Sequence, residues 1–430
     1  MMPSKISRLA RSRSDEYLCV TVRRNDHTVL SRLLAEGKLT ATTLMLDARY
    51  HDRQQSLRED ALAASRQLWL DTQGLELSLP SGVTDSHIEL PWAKELRRAE
   101  ALTVKQRKTA AMSIATFASD GKYSGILVPT HYLADDQTEW LDGDLAVVAD
   151  LRDALDGIGA NRIELIYPAT LPTKLMSDTA FLRMLRRRMA AAPIDRVTLR
   201  IHPFGANAGP NVMRRLINGL SELRESDLPV LVERSGFAGT VLFAMGVVDA
   251  VESGVAIGDT FDIGDRLHAG GMDGPGPTKR RIYVEALGRT IDITAANALM
   301  ATAQGKTRFA CRDHHCCPDG ARDMLRDPRR HSLLARQRQL AELAGVPISQ
   351  RAEFFVQRIL TPVCDSLSRA SQNVPAFLEV HRRVLSVKET LKSVIAERQT
   401  KRLRSVVSGP APAVAQILSF PSTQPKGRVE

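Results

Sequence analysis

The chain has 430 residues and a formal net charge of +10, with 43% hydrophobic and 25% charged residues. This composition is typical of a globular protein and excludes a collagen-like or a wholly disordered chain. No apolar run approaches the roughly 18 residues that a membrane span needs, so we expect a cytoplasmic protein that does not contact membranes. Five cysteines, three of them within residues 311–317, indicate reduced thiols rather than a disulfide framework.

The positive charge is concentrated at the two ends of the chain. Residues 1–14 contain four basic residues and no acid, and residues 405–430 form a second tail rich in proline. We expect both tails to be unstructured. They could hold the phosphates of a nucleic acid, or they could simply be solvated ends.

The first strands are predicted near the N-terminus. Residues 18–22, 42–46 and 68–70 are short and apolar, and the last two are followed by Asp47 and Asp71. We interpret those two as the first strands of a barrel. Residues 74–95 are loop-like and are expected to fold over the barrel mouth.

The central part of the chain alternates apolar strands with amphipathic helices. The strands are predicted at residues 125–131, 162–167, 196–202, 229–233 and 248–253. They are apolar for most of their length, which is typical of parallel strands that are buried on both faces. The repeat therefore predicts a TIM-type (β/α)8 barrel over residues 15–317.

The C-terminal part has a different pattern. Short strands are predicted at residues 281–284 and 290–293, and a last strand at 307–311 is expected to close the barrel. From residue 318 to 404 the periodicity is helical, which predicts a helical extension.

Most of the predicted strands end in a polar side chain. In a closed parallel barrel the carboxyl ends of all the strands lie on one face, where ligands bind. We therefore expect a site that contains Asp47, His131 and His202 as catalytic candidates. Asp71, Tyr167 and Glu233 would contact the substrate. The alternative for each residue is a hydrogen bond to the next loop.

A cluster of cysteines is the most specific signal. Cys311, Cys316 and Cys317 together with His331 would complete a closed tetrahedral Cys3His zinc site, which is structural because no coordination position stays open. His314 and His315 are reserve ligands. The alternative is that Cys311 is a buried strand residue and that the other two cysteines are incidental.

Two further segments could carry chemistry. Asp259 and Asp262 lie in an acid-rich turn, where a carboxylate could attack an electrophilic sugar carbon or could simply cap a helix. The glycine-rich loop 269–277 is followed by the basic residues 279–281 and could cradle a phosphate. It fits no P-loop or dinucleotide fingerprint, and a surface loop is the alternative.

Taken together, these features resemble the tRNA-guanine transglycosylases and the related enzymes that insert deazaguanine bases into DNA. Cys311, Cys316, Cys317 and His331 look like the zinc set of that family. The turn 235–239, with Ser235, Gly236 and Gly239, looks like the base-contacting turn. Asp259 or Asp262, followed by Arg266, stands where the family's nucleophile would fall. The cysteine spacing and the missing Pro-Thr-Arg sequence depart from the family pattern.

The resemblance implies a transglycosylase that exchanges or inserts a modified guanine-type base in tRNA or DNA through a covalent aspartate intermediate. Asp47, His131 and His202 would orient or protonate the bases. Zinc is the implied cofactor, and nucleic acid and a small-molecule base are the implied partners. Two alternatives stay open: a barrel hydrolase or lyase of a small phosphorylated substrate, and an inactive nucleic-acid-binding subunit.

Overall fold

The computed structural model describes residues 16–97, 102–135, 138–255, 258–268 and 280–407, with the backbone alone over 402–407. The predicted tail 1–14, the tail from residue 408 onward and the glycine-rich loop 269–277 lie outside the described residues.

Eight parallel strands close into a barrel, which confirms the predicted fold class. In chain order the strands of the structure are β1 (Leu18–Val22), β2 (Thr43–Asp47), β3 (Gln67–Asp71), β4 (Gly125–Leu127), β5 (Glu164–Pro172), β6 (Arg196–His202), β7 (Phe204–Gly205), β8 (Val230–Val232), β9 (Ala250–Gly254), β10 (Thr260–Phe261), β11 (Arg281–Val284) and β12 (Arg289–Asp292). The barrel order is β1-β2-β3-β4-β5-β6-β8-β9. Two antiparallel ribbons, β7 with β10 and β11 with β12, lie outside the barrel.

The barrel closes at a different place from the one that the sequence predicted. β1 pairs with β9, with Leu18 opposite Val251, so the segment 18–22 is the first barrel strand. The predicted closing strand 307–311 is wrong, because Ala303–Phe309 is a helix. Thr302 starts this helix by accepting a hydrogen bond from the backbone N–H of Gly305.

Several strand boundaries also differ from the prediction. The strand predicted at 125–131 ends at Leu127. Pro129 has no N–H to continue the ladder, so regular pairing with β5 stops after Val128 donates to Ile166, and an isolated parallel bridge between Tyr132 and Thr170 follows. β5 itself continues to Pro172, because residues 166–172 pair with the full length of β6.

Both faces of the barrel strands are buried, as expected for parallel strands. The inner face carries a small apolar cluster that fills the lumen: Cys19, Met45, Trp69, Leu127, Ile166, Leu231 and Ala250. The outer face, which includes Leu44, Leu70 and Val232, packs against the surrounding helices in the main core. Residues that alternate with the outer set therefore point into the lumen.

Helices cover the barrel and form the C-terminal extension. They are α1 (His27–Ala35), α2 (Gln55–Ala63), α3 (Gly74–Ser78), α4 (Asp85–Ile88), α5 (Ala93–Leu96), α6 (Val104–Asp120), α7 (Glu139–Gly157), α8 (Thr179–Ala191), α9 (Pro210–Leu223), α10 (Gly236–Ala244), α11 (Ile293–Leu299), α12 (Ala303–Phe309), α13 (Ala321–Arg326), α14 (Pro328–Ala344), α15 (Ile348–Phe354), α16 (Thr361–Asn373) and α17 (Phe377–Val407). A π-helical turn, Phe355–Leu360, joins α15 to α16. In the described part of the chain, no helix is both long and apolar enough to cross a membrane.

The extension packs directly on the barrel. The side chain of Gln337 on α14 accepts hydrogen bonds from the backbone N–H groups of Thr40 and Ala41, and it donates to the carbonyl of Lys38. Arg336, one residue earlier, forms an ion pair with Asp259. Gln337 therefore binds the loop that leads into β2, at the amino end of the barrel, while Arg336 reaches Asp259, which follows β9.

Candidate active site at the barrel mouth and candidate metal centre

The polar mouth of the barrel follows from the alternation of side chains along each strand. Met45, Trp69 and Leu231 point into the lumen, so Asp47, Asp71 and Glu233, two residues later on the same strands, point the same way. All three carboxylates are buried. The strand register therefore brings Asp47, Asp71 and Glu233 to one face of the barrel mouth.

A buried arginine joins two of these carboxylates. Arg200 on β6 donates from Nε to Glu233 at 2.8 Å and lies with Nη2 3.3 Å from Asp71 Oδ2. Its side chain is almost completely buried. Because an unpaired buried charge is costly, this arrangement stabilises all three ionised groups together.

Asp71 is held on its other side by the chain that follows β3. The backbone N–H of Gln73, a residue in the left-handed region at φ +59°, donates to Asp71 Oδ1 at 3.0 Å. Trp92 supports this turn by donating from Nε1 to the carbonyl of Thr72. Burial raises the pKa of Asp71 to about 6, while the positive charge of Arg200 acts in the opposite direction. A carboxylate with a pKa near neutrality suits proton transfer.

Glu76, on α3, adds a fourth acidic group. The helix begins in close contact with the segment that follows β4, because a Cβ on Gly74 would lie only 2.4 Å from Pro129 Cα. Burial would raise the pKa of Glu76, but Arg200, Arg234 and Arg266 together lower it to about 2. Glu76 is therefore ionised at neutral pH and faces several guanidinium groups.

Two carboxylate oxygens at the mouth have no protein partner within the described ranges. Glu76 Oε2 and Glu233 Oε1 are both buried, and no side-chain or backbone donor reaches either one. Buried acceptors without a donor are costly, since they have lost their hydrogen bonds to water. Each is free to accept a hydrogen bond from a bound ligand.

Residues 74–95 cover one side of the mouth, but they contain the helices α3 and α4 and the start of α5 instead of the predicted loop. The backbone N–H of Ser81 donates to the carbonyl of Arg266. An apolar cluster also joins this segment to residues 261–263. It consists of Leu75 on α3, Leu79 just after α3, Phe261 and Ile263. The cluster brings the acidic turn that contains Asp262 onto the same rim as Asp71 and Glu76.

His202 and Asp262 lie together on this rim. His202 Nδ1 accepts a hydrogen bond from the backbone N–H of Ile263 at 3.1 Å and lies 3.3 Å from Asp262 Oδ1. Since Nδ1 is used as an acceptor, the ring is neutral and its proton sits on Nε2. Burial lowers the pKa of His202, although Asp262 opposes this shift. The carboxylate of Asp262 is 61% exposed and accepts from the N–H of Gly264.

Asp259, the other predicted nucleophile, is held in a different environment. It forms an ion pair with Arg336, whose guanidinium lies 4.6 Å from the centroid of the Tyr283 ring. Its backbone carbonyl accepts from the N–H of Ala206. Asp259 therefore links the mouth to α14, whereas Asp262 stays available to a ligand.

Residues 235–239, which the sequence predicted as a turn, form the start of helix α10 and pack against Asp259. Gly236 has φ +55°, and a Cβ at this position would lie 3.0 Å from the Asp259 side chain. A Cβ on Gly239 would lie 2.0 Å from Ser235 Oγ, so only glycine leaves room for the buried serine. Arg234, just before these residues, also has a positive φ of 47°, and its N–H donates to Glu252 at 2.6 Å. Left-handed backbone at a residue with a Cβ stores strain, which is frequent at functional sites.

Two predicted mouth residues lie elsewhere, so their placement was wrong. His131 Nδ1 lies 2.6 Å from Asp144 Oδ1, and the ring stacks on Trp140 at 4.3 Å between centroids. Tyr167 donates to Asp144 from the outer core. Tyr167 follows the inward-facing Ile166, so alternation points it at α7, and both residues serve the barrel–helix interface.

The remaining predicted residues are paired at the rim. Arg49 donates from Nε to Asp47 Oδ1 at 3.0 Å and also binds Oδ2, so Asp47 is neutralised. Arg266 lies 3.9 Å from Glu76 Oε1 and packs against Gly82. These two arginines and Arg234 balance the acids of the mouth.

Sequence reasoning missed three residues of the mouth. Arg200 lies in a segment that the sequence predicts only as a strand, and Glu76 and His87 lie in the segment predicted as a loop. His87 Nδ1 accepts from the backbone N–H of Thr84 at 3.0 Å, and its Nε2 has no partner among the described residues. A signal for Arg200 was present, since Thr198, Arg200 and His202 alternate with three apolar residues in β6.

The four predicted metal ligands come together beside α14. The sulfur atoms of Cys316 and Cys317 are 3.6 Å apart, and each lies 3.5 Å from His331 Nδ1. The ligand atoms of these three residues and Cys311 all lie within 4.8 Å of one another, so the cluster could hold a metal ion. His314 stands apart, with its Nδ1 3.3 Å from the carbonyl oxygen of Pro318.

A tight turn makes this cluster possible. The N–H groups of Cys316 and Cys317 both donate to the carbonyl of Asp313, and Gly320 adopts φ +55°. His331 Nε2 lies 3.0 Å from the carbonyl oxygen of Tyr283, which fixes the ring with Nδ1 toward the sulfurs. All four ligands are buried.

Comparisons with protein-family models and with curated protein sequences give no match. Among solved structures, the endo-1,4-beta-xylanase XylE of Penicillium canescens is 14% identical over 56% of this chain and 82% of that chain, with a TM-score of 0.37. Xylanase 10B of Thermotoga maritima is 12% identical over 56% of this chain and 83% of its own, with the same TM-score. The carboxyl transferase domain of Rhizobium etli pyruvate carboxylase (Y628A, with pyruvate) is 12% identical over 89% and 64%, with a TM-score of 0.34. Likenesses of this size carry no argument about activity.

Proposed function

We propose that this chain is a β/α-barrel enzyme that exchanges or inserts a guanine-type base in nucleic acid through a covalent intermediate on Asp262. The observation that carries the proposal is the state of this one carboxylate. Asp262 is exposed at the mouth beside a neutral His202, and no arginine or lysine of the described chain lies within ion-pair distance of it. The acids around it, Asp47, Asp71 and Glu76, face guanidinium groups.

The reaction balances without an added oxidant or reductant. A carboxylate oxygen of Asp262 attacks C1′ of the nucleotide, and the glycosidic C–N bond breaks with its electron pair going to the departing base. Asp71 supplies a proton to that base, since its raised pKa of about 6 allows it to hold and release a proton near neutrality. The incoming base gives its N–H proton to the same carboxylate, attacks C1′ and releases Asp262.

The unpaired acceptors of the mouth favour a base with neighbouring N–H groups. A guanine-type ring has a ring N–H and an exocyclic amine on one edge, and ionised carboxylates accept from such donors. Glu76 Oε2 and Glu233 Oε1 are buried acceptors of this kind. A substrate that presents only acceptors would leave both oxygens unsatisfied.

The proposal includes zinc as a structural ion bound by Cys311, Cys316, Cys317 and His331. In a tetrahedral site with Zn–S bonds of about 2.3 Å and a Zn–N bond of about 2.0–2.1 Å, neighbouring ligand atoms are about 3.6–3.8 Å apart. The 3.5 and 3.6 Å separations among Cys316, Cys317 and His331 fit this requirement. With four protein ligands the ion has no open position, so it would brace α14 and the turn 311–320 rather than bind substrate.

The experiment compares Asp262→Asn with Asp265→Asn, an acidic neighbour in the same turn. Purified protein is incubated with a tRNA pool or DNA and a labelled guanine or 7-deazaguanine base, and label incorporation is measured. A covalent protein–nucleic acid adduct is sought on a denaturing gel. We expect wild type and Asp265→Asn to incorporate label, and Asp262→Asn to bind nucleic acid without forming the adduct.

Equal incorporation by Asp262→Asn would remove Asp262 as the nucleophile. Binding of nucleic acid without incorporation by the wild type would favour the inactive binding subunit. The hydrolase or lyase alternative predicts turnover of a small phosphorylated substrate and no salt-sensitive binding of RNA or DNA.

A further inference from the structure

Two arginines from separate elements contact the loop that follows β7, and a third lies on the same ribbon as one of them. Arg289 donates from Nη2 to the side-chain oxygen of Asn207 at 3.1 Å, and Arg383 on α17 donates to the backbone carbonyl of the same residue at 3.4 Å. Arg281 begins β11 and donates from Nη2 to the carbonyl of Thr290 at 3.4 Å, and alternation along the ribbon puts its side chain on the opposite face from Arg289. Two guanidinium groups therefore meet at Asn207, and a third lies on the other face of the same ribbon.

The acids near this cluster are already used. Asp259 is ion-paired with Arg336, and Asp292, which lies opposite Arg281 in the β11–β12 ribbon, accepts from the N–H of Ala295 to cap α11. Glu379 lies 3.2 Å from Arg383 but is exposed to solvent. Within the described ranges, no carboxylate lies within ion-pair distance of Arg281 or Arg289.

Arg281 and Arg289 therefore carry positive charge without an ion-pair partner among the described residues, whereas Arg383 is paired with Glu379. Burial lowers the pKa of the Arg289 guanidinium, and repulsion from Arg383 and Arg281 acts in the same direction although Asp259 opposes it. Like charges held together by the backbone destabilise the protein unless an anion neutralises them. Guanidinium groups bind phosphate oxygens in a two-point geometry that ammonium groups cannot match.

The position of the cluster relates it to the candidate nucleophile. Gly205 pairs with Thr260, and Phe204 pairs with Phe261, in the antiparallel ribbon β7–β10. Asn207 follows Gly205 by two residues, and Asp262 directly follows Phe261. One end of this short ribbon thus leads to Asn207 and the arginines that contact it, and the other end leads to the carboxylate of Asp262.

We infer that Arg281, Arg289 and Arg383 bind backbone phosphates of the nucleic acid whose nucleotide reacts at Asp262. The inference rests on the proposed function for the identity of the polyanion. Phosphate contacts carry no base information, so these residues position the strand on the rim and leave the choice of base to the mouth.

The test measures binding of a fluorescent single-stranded oligonucleotide at several salt concentrations. The variants are Arg281→Gln, which replaces an exposed side chain, and the double variant Arg289→Gln/Arg383→Gln. Arg187→Gln, on the outer helix α8, is the control with the same charge change as Arg281→Gln. We expect Arg281→Gln to lose roughly 10-fold in affinity and the double variant more, since each removes charged hydrogen bonds. The slope of log K against log salt should become shallower by about 0.7 for each phosphate that the variant no longer neutralises.

Equal affinity and slope in Arg281→Gln, Arg187→Gln and wild type would overturn the inference. Binding of inorganic phosphate at millimolar concentration by a protein that does not bind the oligonucleotide would also overturn it, because it would assign the cluster to a free anion. Thermal unfolding checks that the double variant is folded. If it is not folded, the affinity and salt slope of Arg281→Gln alone test the inference. Binding that depends on these arginines without base exchange would keep this inference and remove the proposed function.

Discussion

Arg200 donates a 2.8 Å hydrogen bond from Nε to Glu233 while its Nη2 lies 3.3 Å from Asp71, so one guanidinium spans two strands of the barrel mouth. The three side chains are almost fully buried. Ionised groups in such surroundings depend on each other, because water no longer solvates any of them. The mouth is thus a single electrostatic unit rather than a set of separate acids.

Replacement of this arginine should destabilise the protein strongly. In Arg200→Met the carboxylates of Glu233 and Asp71 stay buried without their cation, and we expect a loss of about 3–5 kcal/mol in the free energy of unfolding. Urea unfolding followed by circular dichroism measures the change. Arg183→Met removes an exposed ion pair with Glu222 and should leave the urea midpoint unchanged. A midpoint for Arg200→Met equal to that of this control would contradict the role given to Arg200.

The metal cluster predicts a defined stoichiometry. Purified protein should contain about one zinc ion per chain, and His331→Ala or the double variant Cys316→Ser/Cys317→Ser should remove it. Because the cluster ties the turn 311–320 to α14, the metal-free variants should show faster amide exchange in both segments. Cys364→Ser alters a buried cysteine outside the cluster and should keep the metal. Elemental analysis that finds no metal in wild-type protein would rule out the zinc site.

The strands could be predicted because buried parallel strands have a simple pattern. The segment 229–233, for example, is short and mostly apolar, and the structure places β8 inside it at Val230–Val232. The error at 307–311 has a physical cause. A five-residue apolar segment fits a strand or a buried helical turn equally well. Here the hydrogen bond from the Gly305 N–H to the Thr302 side chain caps and stabilises a helix.

The site was harder to predict, since the direction of a side chain depends on register. Tyr167 and His131 end apolar segments as Asp47 does, but they point to the helix layer and bind Asp144. β5 runs on past Tyr167 to Pro172, so the end of the apolar run was not the end of the strand. The cysteine cluster was predictable because its residues are close in sequence and have few other uses.

Asp71 should make the stability of the protein depend on pH in a defined direction. Its folded-state pKa of about 6 lies above the usual value near 4 for an unfolded chain, so the folded state binds the proton more tightly. This contribution to stability is fully present below about pH 4 and is lost as the pH rises through 6. We expect wild type to lose stability relative to Asp71→Asn between pH 4 and pH 7. Unfolding midpoints of both proteins at four pH values test this, and parallel curves would exclude it.

His87 should act in the opposite direction. The ring is buried beside Arg49, and burial followed by the charge of Arg49 lowers its pKa to about 4, although Glu76 and Asp47 oppose this shift. The folded state therefore keeps the ring neutral at pH values where the unfolded chain, with a pKa near 6.5, binds a proton. The contribution of His87 to stability is present above pH 6.5 and is lost as the pH falls through 4, with an upper limit of about 3 kcal/mol.

The variant His87→Gln separates this titration from the structural role of the residue. His87 occupies the third position of a capping box that Thr84 begins, and glutamine is a favoured residue at that position. The variant should keep α4 in place, match wild type at pH 7.5 and exceed it in stability at pH 5. His314→Gln changes an exposed ring and should follow the wild-type curve. If wild type and His87→Gln lose stability equally between pH 7.5 and pH 5, burial does not hold the His87 ring neutral in the folded state.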